Sequence, residues 1–290
     1  MIRAVAATFI LIASFGVCSD RATSNDTNQS SLVAFDGANY QTRSEKLSHG
    51  ERLAEVFACN SCHLNDYTGA NFGEIFPLVE GLWATNISLT MPQMSDAELE
   101  LVLREGKRSD RELYLMPSRQ THFISDQDMS ALIAFLRTIE PAGEPTPEPP
   151  DGFADAVADR LPRDYWREKE YGRRFYPSAA DEVAYYIANR VPDLGSSLEQ
   201  GRYIATTVCS VCHGAALDGK GENSGDVQAA LAYDAAAFDA LLASDLMISG
   251  PMPPNEWGGT HSMYPLTQSE RADVYRYVFS LAAKRAAADD

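Results

Sequence analysis

Apolar residues recur three and four positions apart in several separate windows of the chain. Met129, Leu132, Ile133 and Leu136 form one such stripe, and Val274, Tyr277, Val278 and Leu281 form another near the C-terminus. That period belongs to a helix with one buried face. Helix starts are written in front of these runs. Ser95 to Glu98, Ser125 to Asp128 and Thr267 to Glu270 each place a hydroxyl three residues before an acid, the spacing of a capping box. "LELVLREG" stops at Gly106, a helix-ending residue, and "FDALLAS" reads as a middle helix of the later half. Strand-type alternation is scarce. The chain therefore reads as all-α, with helix, loop, helix, loop, helix in each half.

Two stretches break the pattern. Ala4 to Val17 is an apolar run behind Arg3, too short to span a bilayer comfortably, and reads as a secretory signal over residues 1–18. Residues 19–43 follow as a tether, rich in Ser, Thr and Asn at its start. "EPAGEPTPEPPDG" at 140–152 has the composition of an extended spacer. Between residues 153 and 195 lie Tyr165, Trp166, Tyr171, Phe175, Tyr176, Tyr185 and Tyr186, expected to pack between the halves. The expected division is then 44–140 for a first domain, 141–196 for the spacer and aromatic segment, and 197–285 for a second domain.

Composition narrows the partners. With 290 residues, 45% of them hydrophobic, each half has material for a core. A formal net charge of −17 excludes nucleic acid on electrostatic grounds and favours a partner with a basic patch. Cys18 follows the apolar run, where the acceptor cysteine of a lipoprotein would stand, although Phe15 and Val17 are unusual flanks. Export to the periplasm is expected, with a lipid anchor at Cys18 as the open alternative.

Four of the five cysteines sit in two pentads, Cys59-Asn60-Ser61-Cys62-His63 and Cys209-Ser210-Val211-Cys212-His213. A thioredoxin-like redox pair needs a βαβ setting that this pattern lacks. One shared zinc site would require pentads about 150 residues apart to converge, and would leave the repeated Cys-x-x-Cys-His order unexplained. That order is the attachment pattern of c-type haem. Residues three apart share a helical face, so both sulfurs reach the two vinyl groups while the following imidazole meets the iron. Two pentads predict two haems c with iron. "SHGERLAEVFACNSCH" and "LEQGRYIATTVCSVCH" also share a glycine and an aliphatic-Ala pair ahead of the pentad, which points to duplication.

The two pentads, the segment "TNISLTMPQMSDAELELVLREGKRSDRELYLMP" and the two closing helices together resemble class I c-type cytochromes in dihaem form. The likeness is greatest to the cytochrome partners of bacterial periplasmic dehydrogenases and covers roughly 45–140 and 197–283. The resemblance implies covalent haem at Cys59, Cys62, Cys209 and Cys212, with His63 and His213 on the proximal side of each iron. It implies a distal methionine in a Met-Pro loop between the middle and closing helices, which selects Met116 over Met91, Met94, Met129 and His122. In the second half it selects Met252, with His261 as alternative and Met247 and Met263 as weaker candidates. A longer loop containing Trp257, Gly258 and Gly259 departs from the pattern there. The implied function is electron transfer between a dehydrogenase and an oxidase or another cytochrome. The alternative is a dihaem redox enzyme, peroxidase-type or sulfur-oxidising, with one open distal position. Three minor features read as structural: His49 as solvated, Asp218-Gly219-Lys220-Gly221 as a turn, and Arg173-Arg174 as surface charge within reach of propionates.

Overall fold

The computed structural model describes residues 33–75, 77–111, 113–160, 178–219, 225–253 and 260–289. The signal segment, Cys18, the tether up to residue 32, Tyr165, Trp166, Tyr171, Arg173-Arg174, Phe175, Tyr176, Lys220-Gly221 and Trp257 to Gly259 lie outside them.

Thirteen α-helices are described, many of a single turn. In the first half they are α1 (Arg43–Val56), α2 (Cys59–His63), α3 (Phe72–Ile75), α4 (Ile87–Thr90), α5 (Asp96–Glu105), α6 (Ser118–Thr121) and α7 (Asp126–Leu136). Two more, α8 (Phe153–Arg160) and α9 (Ala179–Ala188), occupy the middle. The later half holds α10 (Glu199–Ile204), α11 (Ser210–His213), α12 (Ala235–Ser244) and α13 (Gln268–Asp289), with one small hairpin of β1 (Leu246–Met247) and β2 (Gly250–Pro251). The all-α expectation is met. No described helix is long and apolar enough to cross a membrane.

The same helix crossing occurs in both halves. α1 packs on α7, and α10 packs on α13. Each crossing is tight at a glycine. A Cβ on Gly50 would fall 2.0 Å from the Ala131 carbonyl oxygen, and a Cβ on Gly201 would fall 2.0 Å from that of Asp273. Only glycine lets the backbones approach so closely, which explains the glycine the two halves share ahead of their pentads.

Two capping boxes close as read. Ser95 and Glu98 bond each other's backbone N–H, and so do Thr267 and Glu270. The box at Ser125 closes only halfway. Ser125 accepts the Asp128 N–H, but the Asp128 carboxylate faces inward and is fully buried. It accepts from the Phe35 N–H at 3.0 Å and the Tyr203 hydroxyl at 2.5 Å, and lies 2.6 Å from His49 Nε2. His49 is thus buried, contrary to the expectation of a solvated side chain. At the start of α13, Glu270 plays the matching part. Fully buried, it accepts from the Asp36 N–H at 2.8 Å and from both terminal nitrogens of Arg52 at 3.0 and 2.8 Å. Each closing helix thereby carries a buried acid that holds a side chain of the opposite half. Residues 35 and 36 run between them, and the apolar core continues from Leu53 and Leu132 through Phe35 to Tyr203 and Tyr277.

The proline-rich stretch is extended but lies against the first half. Asn86 Nδ2 donates to the carbonyls of Ala142 (2.8 Å) and Glu144 (3.0 Å), and the Ser88 hydroxyl donates to Ala142 as well. α8 then buries Phe153 and Val157 against Val79 and Leu82. The Tyr186 hydroxyl donates to the Ser210 carbonyl at 3.1 Å, and its ring lies under the Arg119 guanidinium.

Candidate functional site

The first pentad begins where α1 stops. Ala58 adopts a left-handed conformation (φ 51°), which turns the chain and starts α2 at Cys59. Cys59, Cys62 and His63 then lie within a turn and a half. His63 Nδ1 donates to the Thr85 carbonyl at 2.8 Å; a carbonyl only accepts, so the proton is on Nδ1 and Nε2 keeps its lone pair. Burial holds the His63 pKa below the ordinary imidazole value, with the Thr85 bond opposing, so the ring is neutral near pH 7. Burial, and the neighbouring Cys62, push the Cys59 thiol up to about 12. No disulfide joins the pair. A redox-active Cys-x-x-Cys depends on a depressed thiol pKa, so this environment argues against that reading.

These three side chains line a cleft enclosing about 1280 Å³ of atom-free space, part of it open to solvent. Trp83, Leu99 and Leu103 make the lining predominantly apolar, and Met116 with Pro117 also borders it. Leu115 in left-handed conformation (φ 57°) and a bond from the Ser118 N–H to the Met116 carbonyl at 2.8 Å shape the Met116 strap. Arg108 and Arg111 are the cationic residues of the lining. Arg111 donates to the Thr85 hydroxyl at 2.6 Å, on the residue whose carbonyl orients His63. Its buried Nε has no hydrogen-bond partner among the described residues. An apolar slot with two thiols, an oriented imidazole, a thioether and an incompletely satisfied guanidinium fits haem with its carboxylate tails.

The second pentad is reached differently. α10 continues through a π-turn over Ala205–Cys209 directly into α11, without a break. Beyond the histidine the two sites coincide. His213 Nδ1 donates to the Gly225 carbonyl at 2.8 Å, as His63 does to Thr85. Residue numbers correspond at an offset of 150 from 63 and 213 to 69 and 219. Leu64 and Gly214 both have positive φ, and so do Tyr67 and Leu217, and Gly69 and Gly219. The Gly69 N–H bonds the His63 carbonyl at 3.0 Å, and the Gly219 N–H bonds that of His213 at 3.2 Å. Burial, and the neighbouring Cys212, push the Cys209 thiol up to about 12, matching Cys59.

Comparison with known families decides part of the reading. Residues 48–140 match the family model for cytochrome c. No curated protein matches the chain.

A cytochrome c domain carries covalently bound haem c with iron and transfers electrons. Within it Cys59, Cys62, His63 and Met116 all border one cleft. Two of the four rival ligands sit elsewhere or are engaged. Met129 is core and His122 donates through Nδ1 to the Arg104 carbonyl at 2.8 Å, whereas Met91, buried and with its backbone carbonyl held by Arg137, also borders the cleft. Met94 reaches the lining but belongs to the stretch before α5. The sequence reading missed Thr85, Arg108 and Arg111. Both arginines lie in the segment quoted for the family likeness, and basic residues shortly before a Met-Pro strap were the available signal. Thr85 acts through its carbonyl, which no side-chain pattern marks.

In the later half, Met252 stands at the foot of the β1–β2 hairpin, its N–H bonded to the Asp245 carbonyl at 2.7 Å and its side chain partly exposed. Met247 is partly exposed in β1, and Met263 is 41% exposed. The His261 ring is parallel to that of His213 within 1°, with centroids 6.1 Å apart. Burial, and then the nearby His213, push its pKa down to about 4.

Proposed function

We propose that the chain is a periplasmic dihaem c-type cytochrome that passes electrons between a dehydrogenase and a terminal acceptor. The observation that carries a second haem is the recurrence, 150 residues on, of the pentad together with its histidine-to-carbonyl bond and the same left-handed turn. Cys59 and Cys62 would hold one porphyrin through thioethers, with His63 and Met116 on its iron. Cys209, Cys212 and His213 would hold the other. Bound haem supplies one-electron exchange between ferrous and ferric iron.

The protein's own residues set the conditions for that exchange. The Nδ1 bonds fix both imidazoles in the tautomer that presents Nε2. Helices of the two halves meet between the two sites. α6, directly after the Met116 strap, lies on the Ala205–Cys209 turn that leads into the second pentad. Arg119 is buried there in an ion pair with Glu182 at 2.5 Å. An electron path between the sites thus crosses packed protein, and the net charge of −17 steers a partner bearing a basic patch.

An alkaline pyridine spectrum of the purified protein is expected to give two haems c per chain; one or none overturns the dihaem reading. Met116→Ala is expected to remove one ferric sulfur-to-iron band in the near infrared. Carbon monoxide added to the reduced protein at neutral pH is expected to bind neither haem quickly. Rapid binding would favour a redox enzyme over a carrier.

A further inference from the structure

His261 lies between the β1–β2 hairpin and α13. It opens the short turn His261–Met263. That turn is fastened from behind by Asp245, the left-handed cap of α12. One carboxylate oxygen accepts the Ser262 N–H at 3.0 Å and the other accepts the Ser262 hydroxyl. The hairpin that follows Asp245 returns to it at Met252, so the Met-Pro strap and the histidine turn are both anchored on this one residue.

The relation of the two rings is informative. Face-to-face contact would bring them to about 3.5–4 Å, well inside the observed 6.1 Å. Two imidazoles bonded to one metal from opposite sides stand apart by two bonds of about 2 Å each plus their ring radii, which comes to about 6 Å. The His213 Nδ1 is committed to the Gly225 carbonyl, so Nε2 is its open nitrogen. A second, independent observation concerns His261 itself: its Nδ1 is buried and has no hydrogen-bond partner among the described residues. A polar ring oriented by its backbone, facing a haem-attachment histidine and incompletely satisfied, is a ligand in waiting. Met252 shows neither feature.

We infer that His261, and not Met252, is the distal ligand of the second haem, so that the chain pairs a His63–Met116 centre with a His213–His261 centre. The inference rests on the dihaem reading above. Thioether ligation raises a haem potential relative to imidazole ligation. The second centre is therefore the lower of the two, suited to take the electron from the donor and pass it to the first.

The test uses the full haem-loaded chain. Ferric wild-type protein is expected to show one sulfur-to-iron band per chain and one bis-imidazole low-spin signal in electron paramagnetic resonance. His261→Ala is expected to turn one haem of the two high-spin and open it to carbon monoxide, with added imidazole restoring the low-spin spectrum. Met252→Ala is expected to leave both spectra and both midpoint potentials unchanged. Two sulfur-to-iron bands in the wild type, or loss of one in Met252→Ala, would overturn the assignment even if His261→Ala failed to fold. A pyridine spectrum with one haem per chain fails differently, since it removes the dihaem reading itself and the ligand with it.

Discussion

The two pentads reach one geometry by two routes. In the first half α1 ends, Ala58 turns left-handed and a new helix begins at Cys59. In the second, a π-turn carries a continuous helix through Cys209. From the histidine onward the backbones agree although the side chains do not: leucine answers glycine at 64 and 214, and tyrosine answers leucine at 67 and 217. Non-glycine residues at positive φ cost about 1–3 kcal/mol each. Leu64, Tyr67 and Leu217 bear that cost because the surrounding bonds, from Gly69 and Gly219 back to the histidine carbonyls, dictate the turn. The approach to the site was free to diverge, whereas the loop that supports the imidazole was not.

The comparison can be broken at several points. The buried acids of the closing helices should be the most sensitive. Asp128→Ala would strand the Tyr203 hydroxyl, and Glu270→Ala would strand the Arg52 guanidinium. Each is expected to destabilise the protein by about 3–5 kcal/mol, seen as a lowered denaturation midpoint. If the halves are held together at both points, each variant should loosen both pentad sites; loosening of one alone would show that the halves unfold independently.

Next come the helix crossings. Gly50→Ala and Gly201→Ala each force a methyl against a backbone carbonyl. A loss of about 1–3 kcal/mol is expected in each, and a large inequality between them in thermal melts would show that the two crossings are not equivalent. The smallest effect should be local. Asn86→Ala removes both side-chain bonds to the proline-rich strap. Its cost is about 1–2 kcal/mol, detectable as faster proteolysis within residues 140–150. Since both bonds lie in the first half, this variant should leave the surroundings of His213 untouched.

Much of this architecture was legible along the chain. The caps of α5 and α13 and the apolar stripes of α7 and α13 follow from spacings of three and four residues, which local geometry alone decides. Cys59, Cys62 and His63 were legible for the same reason. The Ser125 box was misread because Asp128 has the local partner that the pattern offers, yet tertiary packing presents it with stronger ones in Tyr203 and His49. Likewise "EPAGEPTPEPPDG" has the composition of a free spacer, and only Asn86 and Ser88, more than fifty residues earlier, make it part of the first half's wall.

By itself, then, the sequence determined where the two Cys-x-x-Cys-His turns stand and where the capped helices begin, since both depend on neighbours within one turn. Only the tertiary structure decided which carbonyl orients each imidazole, which buried acid joins which half, and that His261 stands opposite His213. Those partners are brought together from distant parts of the chain by burial of a common core, and no local spacing records them.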